Sequence, residues 1–217
     1  MRDQTPPPGL PFMKMHGLGN DFVVLDHREG GVEVTSALAT MIADRHRGVG
    51  FDQLAVIERT GEADARLTFY NADGSLSSAC GNATRCIGRL LMEEAGKDIA
   101  SIETNAGLLH AFAGQSPRMV TVDMGKPRFA WNEIPLAEPW PDTRELDLRV
   151  GPEDAPILAA PSAVSMGNPH VVFWVDDVAA YDLAGIGPTI ETHPMFPARV
   201  NVSLAHVVDR QAIEVRT

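Results

Sequence analysis

Hydrophobic and polar residues alternate from Arg66 to Tyr70, with Leu67 and Phe69 on one side and Arg66, Thr68 and Tyr70 on the other, as a half-buried strand requires. A turn signal follows from Asn71 to Ser75, and the period then lengthens to that of a helix. Ala83, Cys86, Ile87, Leu90 and Leu91 fall on one apolar face, while Arg85, Arg89 and Glu93 step along the opposite one. Gly96 supplies the stop, and Cys80 stands at or just before the helix start. Upstream, Phe22 to Leu25 reads as a strand entered through the loop Gly17-Leu18-Gly19-Asn20-Asp21. A helix capped by Thr35 or Ser36 comes next, with Leu38, Met41, Ile42 and Arg45 at helical spacing and Gly48 beyond its end. Leu54 to Ile57 is a further apolar strand. Downstream, Ile99 to Thr104, Leu108 to Ala113 and Met119 to Met124 read as a β-meander. Between Pro127 and Pro161 lie seven of the sixteen prolines, together with Trp131 and Trp140, and the start of that stretch marks a domain boundary. The expected organisation is a disordered tail over residues 1–11, an N-terminal domain over 12–126 and a C-terminal domain over 127–217.

The two domains share a pattern. Gly19-Asn20-x-x-Val23-Val24 returns as Gly167-Asn168-x-x-Val171-Val172, 148 positions on, and Gln53 before Leu54-Ala55 returns as Asn201 before Val202-Ser203 at the same offset. Two copies of one β-rich unit in a mixed α+β chain are expected from this. At that offset the counterparts of Asn71 and Cys80 fall beyond Thr217, so the second unit is expected to be incomplete and to lack the helix that would cover one face of its strands.

Composition narrows the function. The 217 residues are 44% hydrophobic and 22% charged, with no apolar run of membrane-spanning length. The start, Met1-Arg-Asp-Gln-Thr-Pro-Pro-Pro-Gly9, has no signal-peptide core. A net charge of −11 argues against nucleic acid and anionic membranes as partners, both of which want a basic footprint. The two cysteines lie ~9 Å apart along one helix, too far to pair, and with no secretion signal they point to a reducing cytoplasm.

Cys80 is the candidate for chemistry. At a helix N-terminus, unpaired N–H groups and the positive end of the dipole favour thiolate over thiol. A cysteine among Ala and Gly is otherwise often a small buried hydrophobe, and Cys86, on the apolar face, is read as core.

Six stretches in order then carry a resemblance: Met15-His16-Gly17-Leu18-Gly19-Asn20-Asp21-Phe22, Gly48-Val49-Gly50-Phe51-Asp52-Gln53, Asn71-Ala72-Asp73-Gly74-Ser75, Ala79-Cys80-Gly81-Asn82-Ala83-Thr84-Arg85-Cys86, Gly167-Asn168-Pro169-His170 and Arg199-Val200-Asn201-Val202. Together they resemble diaminopimelate epimerase. The resemblance implies two similar β/α domains, each around a central helix, and a cofactor-independent, metal-free epimerase acting on a small-molecule substrate, LL- or meso-diaminopimelate. It implies one proton-transfer cysteine per domain, of which Cys80 matches the first. Gly81 and Asn82 would offer N–H groups to the substrate carboxylate. Asn20, Gln53, Asn71, Asn168 and Asn201 match substrate-binding amides, and His170 matches a histidine that helps arrange the site. A homodimer is also implied. The family continues with Trp-Glu-Arg-Gly and Ala-Cys-Gly-Thr-Gly, the latter carrying the second cysteine, whereas this sequence stops at Arg216-Thr217.

Each assignment has a plainer competitor. Asn in Gly-Asn or Asn-x-Asp-Gly settings is commonly a turn former, His170 beside Pro169 a packing residue, and Gln53 and Asn201 strand-edge polar residues. A pyridoxal-phosphate racemase would need a Schiff-base lysine, and Lys14, Lys97 and Lys126 lie in no phosphate-cradling context. A cysteine hydrolase, a proline-racemase-like or phenazine-biosynthesis-like relative, and a chain that only binds ligand or a partner are the other readings.

Overall fold

The computed structural model describes residues 9–77, 79–116 and 118–217, so most of the expected tail lies outside the described residues. Leu10, expected in that tail, instead packs against the buried cluster that contains Val23, Leu25 and Phe51. Two compact units divide between Met124 and Gly125.

The first unit runs β1 (Met13–Gly17), β2 (Asn20–Asp26), α1 (Ser36–Ala43), β3 (Gln53–Glu58), β4 (Ala65–Asn71), β5 (Leu76–Ser77), α2 (Gly81–Ala95), β6 (Ile99–Thr104), β7 (Gly107–Ala113) and β8 (Val120–Asp123). The sheet order is β1-β2-β3-β4-β6-β7-β8, with β5 folded back on β4. β1 and β2 form a hairpin whose two loop residues, Leu18 and Gly19, both have positive φ (55° and 89°), the primed turn that suits the twist of paired strands. The β1 strand was not anticipated; its Met-Lys-Met-His alternation is too short and too weakly apolar to stand out.

The strands at the two ends of the order, β1 and β8, both pack on α2, as do β6 and β7, so the sheet curls around that helix. Residues of alternating parity divide between two cores. Phe22, Val24, Ala55, Ile57, Leu67 and Phe69 bury against α2, and Val23, Leu25, Leu54 and Val56 bury on the other face with Ala43 and Phe51. β2 and β3 are thus covered on both sides, which accounts for their unbroken apolar runs.

The apolar face of α2 is turned slightly from the expected one. Ala83, Thr84, Ile87, Gly88, Leu91 and Met92 are buried, while Cys86 and Leu90 lie at the margin of the core. Reading Cys86 as core is therefore corrected: it is half-buried, and its thiol reaches the His16 carbonyl at 3.4 Å. Burying Gly88 turns the face, because α2 crosses β7 there so closely that a Cβ on Gly88 would lie 2.5 Å from the Ala111 Cβ. Gly88→Ala should therefore cost about 1–3 kcal/mol through overpacking, despite alanine's better helix propensity. A lowered urea midpoint with unchanged helix content would show it. In α1 the buried residues are Ala39 and Ala43, Met41 points to solvent, and the helix ends before Arg45.

The second unit contains β9 (Arg149–Val150), β10 (Leu158–Ala159), β11 (Ser162–Ser165), β12 (Pro169–Trp174), α3 (Leu183–Glu191), β13 (Asn201–Val207) and β14 (Ile213–Arg216). The proline-rich stretch supplies part of this unit's core: Ile134, Leu136, Leu146, Leu148 and Leu158 are buried with Val171, Phe173, Val202 and Leu204.

The internal repeat holds at the level of register. Phe22 pairs with Gln53 across the parallel β2·β3 ladder, and 148 positions on, His170 pairs with Asn201 across the parallel β12·β13 ladder. Ile57 opposite Leu67 likewise becomes Ala205 opposite Val215. The first hairpin differs. Met166-Gly167-Asn168 replaces the two-residue loop Leu18-Gly19, so β11 is shifted by one position against β12 relative to β1 against β2. The face that meets α2 in the first unit corresponds in the second to His170, Val172, Ser203, Ala205, Ile213 and Val215, and the last two are exposed.

Candidate active site

In the first unit the site residues collect where β2 and β3 begin, β4 ends and α2 starts. Parallel β2 and β3 bring Asn20 and Gln53 to the same edge, and the antiparallel β3·β4 register sets Gln53 opposite Asn71. Gln53 Nε2 donates to Asn71 Oδ1 at 3.1 Å, and Asn71 Nδ2 donates to Ser75 Oγ at 3.1 Å. The Asn71–Ser75 turn, with Gly74 at φ 81°, reverses the chain into β5 and delivers it to Cys80.

Cys80 is the N-cap of α2, in extended conformation at φ −143° and ψ 100°. Its Sγ accepts from the Ala83 N–H at 3.4 Å, and its carbonyl accepts from Thr84 N and Thr84 Oγ1 at 2.9 and 2.8 Å. Burial pushes the thiol above its ordinary value and outweighs the amides of Ala83 and Asn82 that pull it down. The helix start favours the anion as argued, but a site that leaves Cys80 only 9% exposed disfavours it more.

Around the sulfur stand two side-chain amides. Cys80 Sγ lies 4.0 Å from Asn20 Oδ1, a long contact, and Asn82 Nδ2 donates to the same oxygen at 3.3 Å. Asn20 Nδ2 donates to Asp52 Oδ2 at 2.9 Å, and Arg85 donates to Asn82 Oδ1. Asp52 also accepts from Arg45 at 2.8 Å, and Arg45 and Lys14 both grip Asp21, holding its carboxyl far below the carboxylate range. Sequence reasoning missed Asp52 and Arg85. The periodicity sets Arg85 on the face of α2 opposite the apolar one, although its spacing of three from Asn82 is the distance at which helix neighbours meet.

In the second unit Asn168, His170 and Asn201 come together at the equivalent edge. Asn168 Oδ1 and His170 Nε2 are 2.9 Å apart, and Asn201 Nδ2 donates to the Pro169 carbonyl at 2.9 Å. Burial holds His170 below its ordinary value of 6.5. Well above 6.5 the imidazole is neutral folded or unfolded and the stability is full; as pH falls, the unfolded chain takes its proton first and stability is lost down to the folded value. Between about pH 7.5 and 5.5 the unfolding midpoint should drop further for the natural chain than for His170→Gln, as urea titrations at the two pH values can measure.

A family model described as diaminopimelate epimerase matches residues 12–130. The chain is also 50% identical over 208 residues to the diaminopimelate epimerase of Afipia carboxidovorans, covering 95% of this chain and 71% of that protein. The chain belongs to the diaminopimelate epimerase family. The relative from a Bradyrhizobium species is 52% identical over 209 residues, with the same coverage. Both relatives align with nearly all of this sequence, and the chain spans 71% of the length of each. Among solved structures, a hydroxyproline epimerase from Agrobacterium vitis is similar at TM-score 0.54 and 17% identity, covering 94% of this chain and 68% of that one. A PhzF-family phenazine biosynthesis protein from Bacillus anthracis gives 0.51 at 19% identity, covering 94% and 69%. Both share the sheet-rich α+β fold. Among the described residues, no helix is long and apolar enough to cross a membrane.

Proposed function

We propose that this chain carries the Cys80 side of an epimerase that interconverts LL- and meso-diaminopimelate, on the way to lysine and peptidoglycan precursors. The observation that carries it is Cys80 as the N-cap of α2, its sulfur among backbone amides and beside Asn20, in a member of this family. Cys80 as thiolate takes the α-proton, becoming the thiol. The electron pair left on the α-carbon spreads into the adjacent carboxylate, and a second acid returns a proton to the opposite face. N–H groups at the start of α2, those of Gly81 and Asn82, stabilise the carboxylate as that charge develops. Asn20, Gln53 and Asn71 bind the polar ends of the substrate, and Asn168, His170 and Asn201 form the corresponding set of the second unit. Cys86 is a poor second acid, since it lies on the same helix as Cys80 with its thiol on the His16 carbonyl. A two-thiol reaction therefore needs an acid other than either cysteine of this sequence. We further assign the reaction to the cytoplasm and the enzyme to a homodimer.

The test is incubation of the chain with LL-diaminopimelate in heavy water, followed by NMR of the α-protons and of the meso product. Exchange with inversion supports the full reaction within these residues, and exchange without inversion supports Cys80 as a single competent base. Exchange on proline or hydroxyproline but not on diaminopimelate would move the assignment to another amino acid. Ligand-induced stabilisation with no exchange on any substrate would leave a binding protein.

A further inference from the structure

The amides beside Cys80 are tied at both ends to groups of fixed hydrogen-bonding sense. A carboxylate only accepts, so Asp52 requires the Asn20 NH2 to face it, which turns the Asn20 carbonyl toward Cys80 and Asn82. A guanidinium only donates, so Arg85 requires the Asn82 carbonyl to face it, which turns the Asn82 NH2 toward Asn20. The two requirements agree: each amide is oriented from its outer end, and the two meet donor to acceptor in the middle. An untethered Asn can turn its amide over at little cost, and either end would then face the sulfur.

We propose that Asp52 and Arg85 are positioning residues that lock Asn20 and Asn82 into one orientation, so that Cys80 meets the Asn20 carbonyl and not its NH2. The carbonyl can accept the S–H bond of the thiol and offers nothing to the thiolate, so it orients the acid form of Cys80 for returning a proton. A flipped amide would donate to the thiolate and hold Cys80 as a weaker base. The cluster behind Asp52 supports this role. Asp52 accepts from the Asp21 N–H at 3.0 Å as well as from Asn20, and Arg45 spans Asp52 and Asp21, so the carboxylate that orients Asn20 is itself fixed from two sides. The catalytic meaning rests on Cys80 being the reacting thiol, but the orientation itself can be tested without substrate.

The charged and titratable groups near Cys80 are Arg85 and Cys86 on its own helix, and Asp52, Asp21, Arg45 and Lys14 beyond Asn20; β1 adds His16 behind Cys86, and the residue past β8, Met124, is uncharged. The experiment is the pH profile of Cys80 alkylation by iodoacetamide, with the modified cysteine identified by mass spectrometry, in the natural chain and in Asp52→Ala, Asp52→Glu and Asp21→Asn. In Asp52→Ala the released amide turns its NH2 to the sulfur, and the midpoint should fall by about one pH unit, the size of shift that a hydrogen bond to the charged form produces. Asp52→Glu restores an acceptor and the original profile. Asp21→Asn removes a charge from the same cluster but keeps an oxygen for the Asp52 N–H and for Arg45, so Asp52 still faces the Asn20 amide and the profile should stay near the natural one. Equal shifts in Asp52→Ala and Asp21→Asn would reduce the effect to charge alone and overturn the proposal, as would an unmoved profile in a folded Asp52→Ala chain. Should Asp52→Ala not fold, the natural chain still decides: an NOE from the Asn20 side-chain NH2 to the Cys80 Hβ protons would show the opposite orientation, and its absence together with an NOE from that NH2 to Asp52 would support the proposed one. A chain that shows this orientation yet exchanges no α-proton would leave the lock standing and sink the epimerase reading instead.

Discussion

Cys80→Ser is expected to lower α-proton exchange on diaminopimelate by at least roughly 10³-fold while leaving the fold intact, within the range by which positioned acid–base groups accelerate proton transfer. A serine hydroxyl is far less acidic than a thiol, so almost no alkoxide forms at neutral pH, and the N–H groups at the start of α2 cannot compensate. The same substitution preserves the cap, because serine is among the best N-cap residues and its oxygen can accept from the Ala83 N–H as the sulfur does. Cys80→Ala makes the useful contrast: it loses the reaction and also the cap, at a cost of about 1 kcal/mol. Exchange followed by NMR in heavy water, with thermal melts of all three chains, separates the two effects. A serine variant that kept exchange within tenfold of the natural chain would remove Cys80 from the reaction. Because burial raises the thiol of Cys80, the exchange rate of the natural chain should keep climbing through the mildly alkaline range, as the thiolate that accepts the proton becomes populated.

Much of this architecture was legible in the sequence where one face of an element is buried and the other is not. The alternation around Leu67 and Phe69 and the periodicity of α2 are direct consequences of such burial, and they located β4 and the helix well. The 148-residue offset was legible for a different reason: pairing register fixes which residues stand opposite one another, so a shared offset between Asn20 and Asn168 and between Gln53 and Asn201 carried over to the ladders themselves. What escaped was decided by contacts distant in sequence. The face of α2 depends on the approach of Ala111, which makes Gly88 an inward position although glycine has no hydropathic signal. The core role of the proline-rich stretch was not legible because its scattered leucines follow no period, yet those leucines fill the second core. The burial that opposes the helix-start amides at Cys80 was not legible either, because a local rule about helix ends says nothing about how deeply the sulfur is buried. The anchors Asp52 and Arg85 were overlooked because charged residues beside a motif usually face solvent.

Phe69→Ala is expected to be the most damaging single truncation in the first unit, costing about 3–5 kcal/mol. Phe69 is fully buried, pairs with Ala55 on β3 and Ser77 on β5, and belongs to the cluster that contains Cys80, Ala83 and Ile87. Its ladder partners Ala55 and Ser77 are small, so neither can swing in to fill the space, and little of the cavity term should be recovered by relaxation. The three tryptophans, Trp131, Trp140 and Trp174, all lie in the second unit, whereas the alkylation of Cys80 reports on the first. Protection of Cys80 in urea should therefore collapse at a denaturant concentration lower by roughly 2 M, taking a slope of roughly 2 kcal/mol per M for a unit of this size. Tryptophan fluorescence should keep its own midpoint, since the second unit has its own buried cluster, of which Phe69 is not a member. A loss below about 1.5 kcal/mol would mean that the sheet closes over the missing ring and that α2 is held by its other contacts with β1, β6, β7 and β8. The expected loss instead makes the Phe69 ring a principal support of the helix whose first turn presents Cys80.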